Sequence, residues 1–311
     1  MQNLFEILDS RKIFKLVLAL GNQSYDEIKE LSRIYALAGA DMFDVNPSEE
    51  AIYAVRDGIK EAGLNAGDFM ICLSAGLEGD IHIQKAKINT KKCIRCMECV
   101  KTCPQDAISA GQDGKPAVNA EKCIGCEKCK KCPAGAIDFA GIGSNLENVV
   151  KLADKYNVEC VELHVSTQKT PVKEIKYLVK NIKCPLSLCL DRRYYSNEKI
   201  KGLITEVKKI TPKFIIQADG VPMSGGEDSF ESTLQAVAMV HLVQEFGMYI
   251  LISGGTNSKT AELANMCNVK FHGISVGSYA RQIVKEKPFG VCLQEAKSLV
   301  AACKSSMGLG N

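Results

Sequence analysis

The chain has no tryptophan, an aromatic fraction of 6% and only 4 histidines in 311 residues. A groove lined by aromatic rings, of the kind that stacks sugars or nucleobases, is thereby disfavoured without being excluded. Charge is nearly balanced: 39 Lys plus Arg against 36 Asp plus Glu leave +3, too weak a field to argue for nucleic acid. No apolar run approaches the length that spans a bilayer, and the first residues lack the pattern of a secretory leader. We therefore expect a cytoplasmic protein with neither a membrane nor a nucleic-acid partner. With 46% apolar residues, the chain can bury one large core or two smaller ones.

Cysteine is what the chain has in quantity: 15 residues, 8 of them in two runs. Cys93, Cys96, Cys99 and Cys103 precede Pro104 and fit CxxCxxCxxxCP. Cys123, Cys126, Cys129 and Cys132 precede Pro133. This is the ligand spacing of a two-cluster ferredoxin, in which three close thiolates clasp three corners of a cubane and the fourth arrives from the other run. The expected assignment is crossed: Cys93, Cys96, Cys99 and Cys132 for one [4Fe-4S] cluster, Cys123, Cys126, Cys129 and Cys103 for the other. The second run is one residue short, with only Lys130 and Lys131 between its last two cysteines. That shortening should draw Cys132 toward its own run and lengthen its reach to the first cluster. Paired CxxC units also bind zinc, but a third cysteine and a proline in each run exceed what a four-thiolate ion needs. A disulfide framework is unnecessary in a chain this long. Cys72, Cys160, Cys184, Cys189, Cys267, Cys292 and Cys303 are scattered singly and are expected mostly as buried small hydrophobes in a reducing compartment.

Outside residues 82–140, short apolar or β-branched runs alternate with segments of helical periodicity. The expected strands are Phe14–Leu20, Asp41–Val45, Phe69–Leu73, Val158–Val165, Pro185–Leu190, Phe214–Ala218, Met248–Ile252 and Phe271–Val276. Near-continuous apolar strands are buried on both faces, as in a parallel sheet covered by helices. Eight βα units predict a (β/α)8 TIM-barrel-like domain, favoured over an open doubly wound sheet because no GxGxxG follows the first strand. Residues 1–81 would supply the first βα units, 82–140 an inserted 2[4Fe-4S] ferredoxin-like domain, and 141–311 the remaining units. The insert then follows the third strand, on the face where barrels build active sites.

Polar residues gather at the predicted strand ends. Asp219, Asp44 and His164 are the candidate acids or bases. Gln217, Ser224, Gly254, Gly255, Thr256, Asn257, Gly277, Ser278 and Arg281 are candidates for holding a phosphate-bearing ligand, since loops after the seventh and eighth strands often do so. Each has a plainer reading as well. The glycines suit ordinary tight turns, Asp219 could cap a helix or form an Asx turn, and His164, two residues from Glu162 on one strand face, could be a core histidine satisfied by a carbonyl. The stretch Gln217 to Gly226 is rich in turn formers and reads as a shaped loop. No CxxxCxxC occurs, so no radical S-adenosylmethionine cluster is indicated.

The strings QADGVPMSGG, ISGGTN and GISVGSYAR between Gln217 and Arg281 resemble the C-terminal region of the LdpA family, the light-dependent period proteins of cyanobacteria. Phe14-Lys15-Leu16, Ala38-Gly39-Ala40-Asp41 and the double cysteine run follow the family's order, so the resemblance covers most of the chain. It implies an iron-sulfur protein that senses cellular redox state and passes it to a circadian clock. Two readings stand at this point: an electron-transfer or redox-sensing protein working with a redox partner protein or a small-molecule ligand, and an oxidoreductase whose insert delivers electrons to a substrate in the barrel mouth.

Overall fold

A computed structural model of the chain describes residues 4–18, 24–80, 83–111, 114–120, 122–123, 125–141, 143–165, 167, 170–220 and 227–305. Its strands are β1 (Ile13–Val17), β2 (Met42–Val45), β3 (Met70–Gly76), β4 (Lys85–Ile88), β5 (Ile108–Ala110), β6 (Pro116–Val118), β7 (Ile137–Ala140), β8 (Cys160–His164), β9 (Leu186–Leu190), β10 (Ile215–Asp219), β11 (Tyr249–Ser253) and β12 (Gly273–Val276). The helices are α1 (Leu4–Ser10), α2 (Tyr25–Ala38), α3 (Glu49–Glu61), α4 (Glu98–Thr102), α5 (Leu146–Tyr156), α6 (Val172–Asn181), α7 (Asn197–Ile210), α8 (Phe230–Val243), α9 (Thr260–Met266), α10 (Ser278–Val284) and α11 (Phe289–Lys304). β1, β2, β3 and β8 to β12 close into a parallel barrel in the order β1-β12-β11-β10-β9-β8-β3-β2. The fold is the (β/α)8 barrel.

Local sequence explains where the helices begin. Ser24, Ser48, Asn145, Ser196 and Ser229 each accept a backbone N–H from the first turn of the helix they precede, satisfying donors that have no partner inside the helix. Ser24 and Glu27 form a reciprocal capping box, and Gly39 ends α2 in the left-handed conformation at φ 90°.

Along each barrel strand, alternate residues face the helices or the lumen. Phe14, Leu16, Phe43, Val45, Leu163 and Leu188 belong to the large apolar layer under the helices. At the amino ends of the strands, Ile13, Met42, Met70, Cys160 and Ile215 form a second apolar cluster with Leu4 and Leu8 of α1. That helix plugs the bottom of the barrel. Above the plug the inward positions turn polar.

β4 to β7 lie outside the barrel as two antiparallel pairs, β4 with β7 and β5 with β6. They interrupt the chain between β3 and α5. Gly76 at the end of β3 donates to Ser144 Oγ at 3.2 Å and Ser144 donates back to the Gly76 carbonyl at 2.7 Å. A side chain at Gly76 would collide with Ile83 and the Asp80 carboxylate, at 2.5 and 2.7 Å from its Cβ, so glycine is required where the chain leaves the barrel.

β10 runs one residue past its expected end. Gln217 lies within the strand expected over Phe214–Ala218, whereas Asp219, expected in the turn-rich loop, is also a strand residue, paired with Ser253 of β11. Ladder pairing with β11 overrides the local turn preference at Asp219, while β9 holds the other edge as far as Ala218.

Candidate metal centres and barrel lumen

Two cavities in the insert are lined by four cysteines each. Cys93, Cys96, Cys99 and Cys132 line the first, with Ile88, Ile94 and Met97 among their neighbours. Cys103, Cys123, Cys126 and Cys129 line the second, beside Glu127 and Phe139. Each thiol set draws three members from one run and its fourth from the other.

The exchange follows from backbone pairing. Asn89, four residues before Cys93, donates its N–H to Ala136 O, four residues after Cys132, at 2.8 Å; Asn119, four before Cys123, donates to Ala107 O, four after Cys103, also at 2.8 Å. Each run's terminal cysteine is thus carried to the other's opening turn. The backbone repeats as well: Arg95 and Gly125, Met97 and Glu127, and Asp106 and Gly135 occupy matching places, all with positive φ. The short second spacing does not pull Cys132 away from the first set, contrary to the sequence-based expectation. In the first run the last two cysteines are joined through α4, in the second through a 3-10 turn, Lys128–Lys131. An α-helix rises about 1.5 Å per residue and a 3-10 helix about 2.0 Å, so four steps of one and three of the other both advance about 6 Å.

The donor set suits a thiolate-held cluster. Burial raises the Cys99 thiol, with Cys132 and Cys93 adding to the shift. Burial also pushes Cys129 up to about 11, aided by Cys126, Cys123 and Cys103. Thiols that oppose one another's ionisation within each set of four need cationic iron between them to become thiolates. Ala86 N–H donates to Cys123 Sγ and Ala107 N–H to Cys103 Sγ, each at 3.3 Å.

The second set adjoins the barrel. Glu127 accepts from Gln84 Nε2 at 3.1 Å and faces Arg193, beyond the carboxyl end of β9, at 3.8 Å. In the lumen, Lys15 of β1 is fully buried and bridges Asp44 of β2 and Glu162 of β8, 2.8 Å from each. Glu162 also accepts from Ser187 Oγ at 2.8 Å and Gln217 Nε2 at 2.7 Å, while Ser275 donates to Gln217 Oε1 at 2.9 Å. Ser74 donates to Asp44. His164 lies between two carboxylates, Nε2 at 3.3 Å from Glu162 and Nδ1 at 3.4 Å from Asp80.

Protonation follows the donors. Burial opposes the charge on Lys15, but Asp44 and Glu162 hold its pKa well above the usual lysine value. Burial pushes the Asp44 carboxyl up against the pull of Lys15. Glu162 is buried as deeply, yet Lys15 and His164 hold it down at about 2. The two acids share one ammonium, and the additional donors around Glu162 favour its ionised form over that of Asp44. Burial works against the His164 imidazolium, but Asp80 and Glu162 raise its pKa well above the ordinary value.

The predicted barrel residues therefore divide. Asp44, His164 and Gln217 meet in one network around Glu162, and Asp219 joins its edge through Cys189 Sγ, 3.7 Å from Asp219 Oδ2. Ser224 lies outside the described residues. Gly254 and Gly255 turn in the left-handed conformation at φ 74° and 73°. Thr256 donates to Ser275 O at 2.6 Å, Asn257 Nδ2 to Glu227 O and Ser229 O at 2.9 and 2.8 Å, and Arg281 to Val17 O at 2.7 Å and Ser278 Oγ at 3.3 Å. These side chains bind the loops to the barrel, and Gly277 packs beside Val17 and Arg281. Lys15, Ser74, Asp80, Ser187 and Ser275 are site residues that motif reasoning passed over. A lone lysine in Ile-Phe-Lys-Leu-Val and a lone glutamate in Cys-Val-Glu-Leu-His were the available signals. Of the seven scattered cysteines, Cys72, Cys160, Cys189, Cys292 and Cys303 are buried, Cys184 is half-buried and Cys267 is exposed. Among the described residues, no helix is long and apolar enough to cross a membrane.

A thiol-lined dicluster module set into a (β/α)8 barrel is the class that fold and donors define, and comparison with known proteins agrees. Residues 86–139 match the 4Fe-4S dicluster domain, and the chain is an iron-sulfur protein. Residues 151–301 match the light dependent period A C-terminal domain. A relative, "Light dependent period A" of Synechococcus elongatus, is 26% identical over 90% of this chain and 83% of its own length. The barrel is similar to Mycobacterium tuberculosis tryptophan synthase, at a TM-score of 0.53 and 10% identity over 97% of this chain and 98% of that one. A 3-hexulose-6-phosphate synthase is similar at a TM-score of 0.51 and 12% identity, covering 94% and 99%. These structural likenesses speak for the fold alone.

Proposed function

We propose that the chain is a two-cluster [4Fe-4S] redox protein of the light dependent period A type, sensing redox state or passing electrons in the cytoplasm. Cys93, Cys96, Cys99 and Cys132 would hold one cluster, and Cys123, Cys126, Cys129 and Cys103 the other, within a module spanning 82–140 between barrel segments 1–81 and 141–311. The observation that carries this reading is the pair of cavities with exchanged fourth cysteines. When bound, such a cluster supplies one-electron redox chemistry. The chain's own residues do the rest. Ala86 and Ala107 direct amides at sulfur, Glu127 and Arg193 join the second set to the barrel, and His164 holds a proton between Asp80 and Glu162.

The lumen network favours a second reading, an oxidoreductase acting on a ligand in the barrel mouth with Asp219, Asp44 and His164 as its acids and bases. For a phosphate-bearing ligand, the backbone amides of Gly254, Gly255 and Gly277 remain the candidate donors, because Thr256, Asn257 and Arg281 already spend theirs on the barrel. Anaerobic purification with iron and acid-labile sulfide counts, electron paramagnetic resonance after reduction, and analysis of co-purifying organic molecules test both readings. About eight irons with coupled spectra fit the first. A retained small molecule turned over upon reduction would favour the second, and a chain without iron would refute both.

A further inference from the structure

The two halves of the insert repeat one another, and that internal comparison isolates the surface where they differ. Cys96 is exposed, whereas its counterpart Cys126 is half-buried. Arg95 is exposed at φ 61°, whereas its counterpart Gly125 is buried at φ 63°. The left-handed conformation costs an L-residue roughly 1 kcal/mol and glycine almost nothing. The second half uses the cheap residue. The first half keeps an arginine there, which packing does not require, beside Ile94, 65% exposed at the cavity edge. Lys91 and Lys92 are exposed on the turn just before it, and neither they nor Arg95 makes an ion pair among the described residues.

The wider charge distribution points the same way. Residues 82–140 hold 11 Lys and Arg against 6 Asp and Glu, a surplus of 5 that exceeds the +3 of the whole chain and leaves the remainder acidic by 2. A single exposed isoleucine is unremarkable on any surface. An exposed isoleucine at the edge of a thiol-lined cavity, with three exposed cations within three residues of it in the chain and no ion pair to them among the described residues, is the kind of surface that recognises an acidic protein face. The second cavity cannot serve equally, since Glu127 beside it is engaged by Gln84 and Arg193.

We propose that Lys91, Lys92, Ile94 and Arg95 form the docking surface for an acidic one-electron carrier protein, which approaches over the first cysteine set while the second set faces the barrel. The inference rests on the iron-sulfur reading above.

The test uses the full chain, purified anaerobically, and a fluorescently labelled flavodoxin as the acidic carrier. Its Kd is measured at about 0.01 M and about 0.15 M ionic strength, where screening lengths are about 30 and 8 Å. Docking should weaken with salt. Lys91→Glu/Lys92→Glu/Arg95→Glu should raise the low-salt Kd at least about tenfold. Arg95→Gly, which suits the backbone there, should raise Kd about two- to fivefold with unchanged iron and unchanged reduction by dithionite. Ile94→Asp covers the same face if the triple variant loses iron. Wild-type protein that does not bind the carrier at low salt, or variants that bind as tightly as wild type, would overturn the docking surface. The iron count judges the cluster reading separately: an iron-free wild-type chain refutes that reading whatever the Kd.

Discussion

Replacing Lys15 by methionine removes the ammonium shared by Asp44 and Glu162 while keeping a side chain of similar length. All three side chains are at most 1% exposed, so water cannot take the cation's place. Removing one partner of a buried ion pair typically costs about 3–5 kcal/mol. Here the chain has an escape that sets a ceiling. Asp44, whose pKa burial already raises, can take up a proton, and protonating a carboxyl of ordinary pKa about 3.9 costs about 1.36 kcal/mol per pH unit above that value. The ceiling is therefore about 4 kcal/mol at pH 7 and about 1.5 kcal/mol at pH 5. The sign follows from linkage. The folded variant binds a proton that the unfolded chain does not, so its stability falls as pH rises. Wild type shows no matching change over this range from Glu162, held down at about 2, whose contribution is lost only as pH falls from the unfolded value of about 4.5 toward 2. Anaerobic guanidinium unfolding followed by far-ultraviolet circular dichroism at pH 5 and 7 reads the difference. Lys15→Met/Asp44→Asn should recover part of the loss and remove its pH dependence. A loss below about 1 kcal/mol at pH 7, or an equal loss at both pH values, would refute the assignment of Lys15 as the shared counter-ion.

Cys132→Ser should halve iron and sulfide, from about eight to about four per chain, and leave one cluster's spectrum; elemental analysis with paramagnetic resonance decides it. Inserting one alanine between Lys130 and Lys131 should not raise the iron content, because the 3-10 turn already spans the gap. His164→Gln should lose most stability below pH 6.5. The raised folded pKa gives a contribution that is complete below the unfolded value of about 6.5 and fades as pH climbs through the folded one, so urea midpoints of the two proteins should converge on going from pH 6 to pH 9. Gly254→Ala should destabilise by at least about 1–3 kcal/mol, since its Cβ would lie 2.3 Å from Gly220 N and 2.4 Å from Asp219 Oδ1; thermal unfolding measures it.

Much of this architecture could be read from residue order, and the exceptions have physical causes. Barrel strands are buried on both faces, so their apolar runs stand out; all eight appear, with β3 reaching three residues past its expected end at Leu73 and β1 stopping at Val17. Cysteine spacing was legible because three thiols within one loop constrain each other locally. The fate of Cys132 was not, since it depends on the winding of two lysines, a matter of helix type. The lumen was harder still. Lys15 and Glu162 meet across 147 positions of sequence, and the fact that they meet is a property of barrel closure. Thr256 and Asn257 looked free to hold a ligand because nothing local reveals that Ser275, Glu227 and Ser229 present carbonyls to them.

The reciprocal hydrogen bonds between Gly76 and Ser144, with the β4–β7 ribbon beyond them, fasten the two ends of the insert together. To the rest of the chain the whole module is then a tight connection between neighbouring βα units. Closing a flexible loop grows more costly only with the logarithm of its length, and a loop whose ends are already paired avoids most of that growth. The module is then exchangeable for another of different length without refolding the barrel, provided the replacement's termini preserve that clasp.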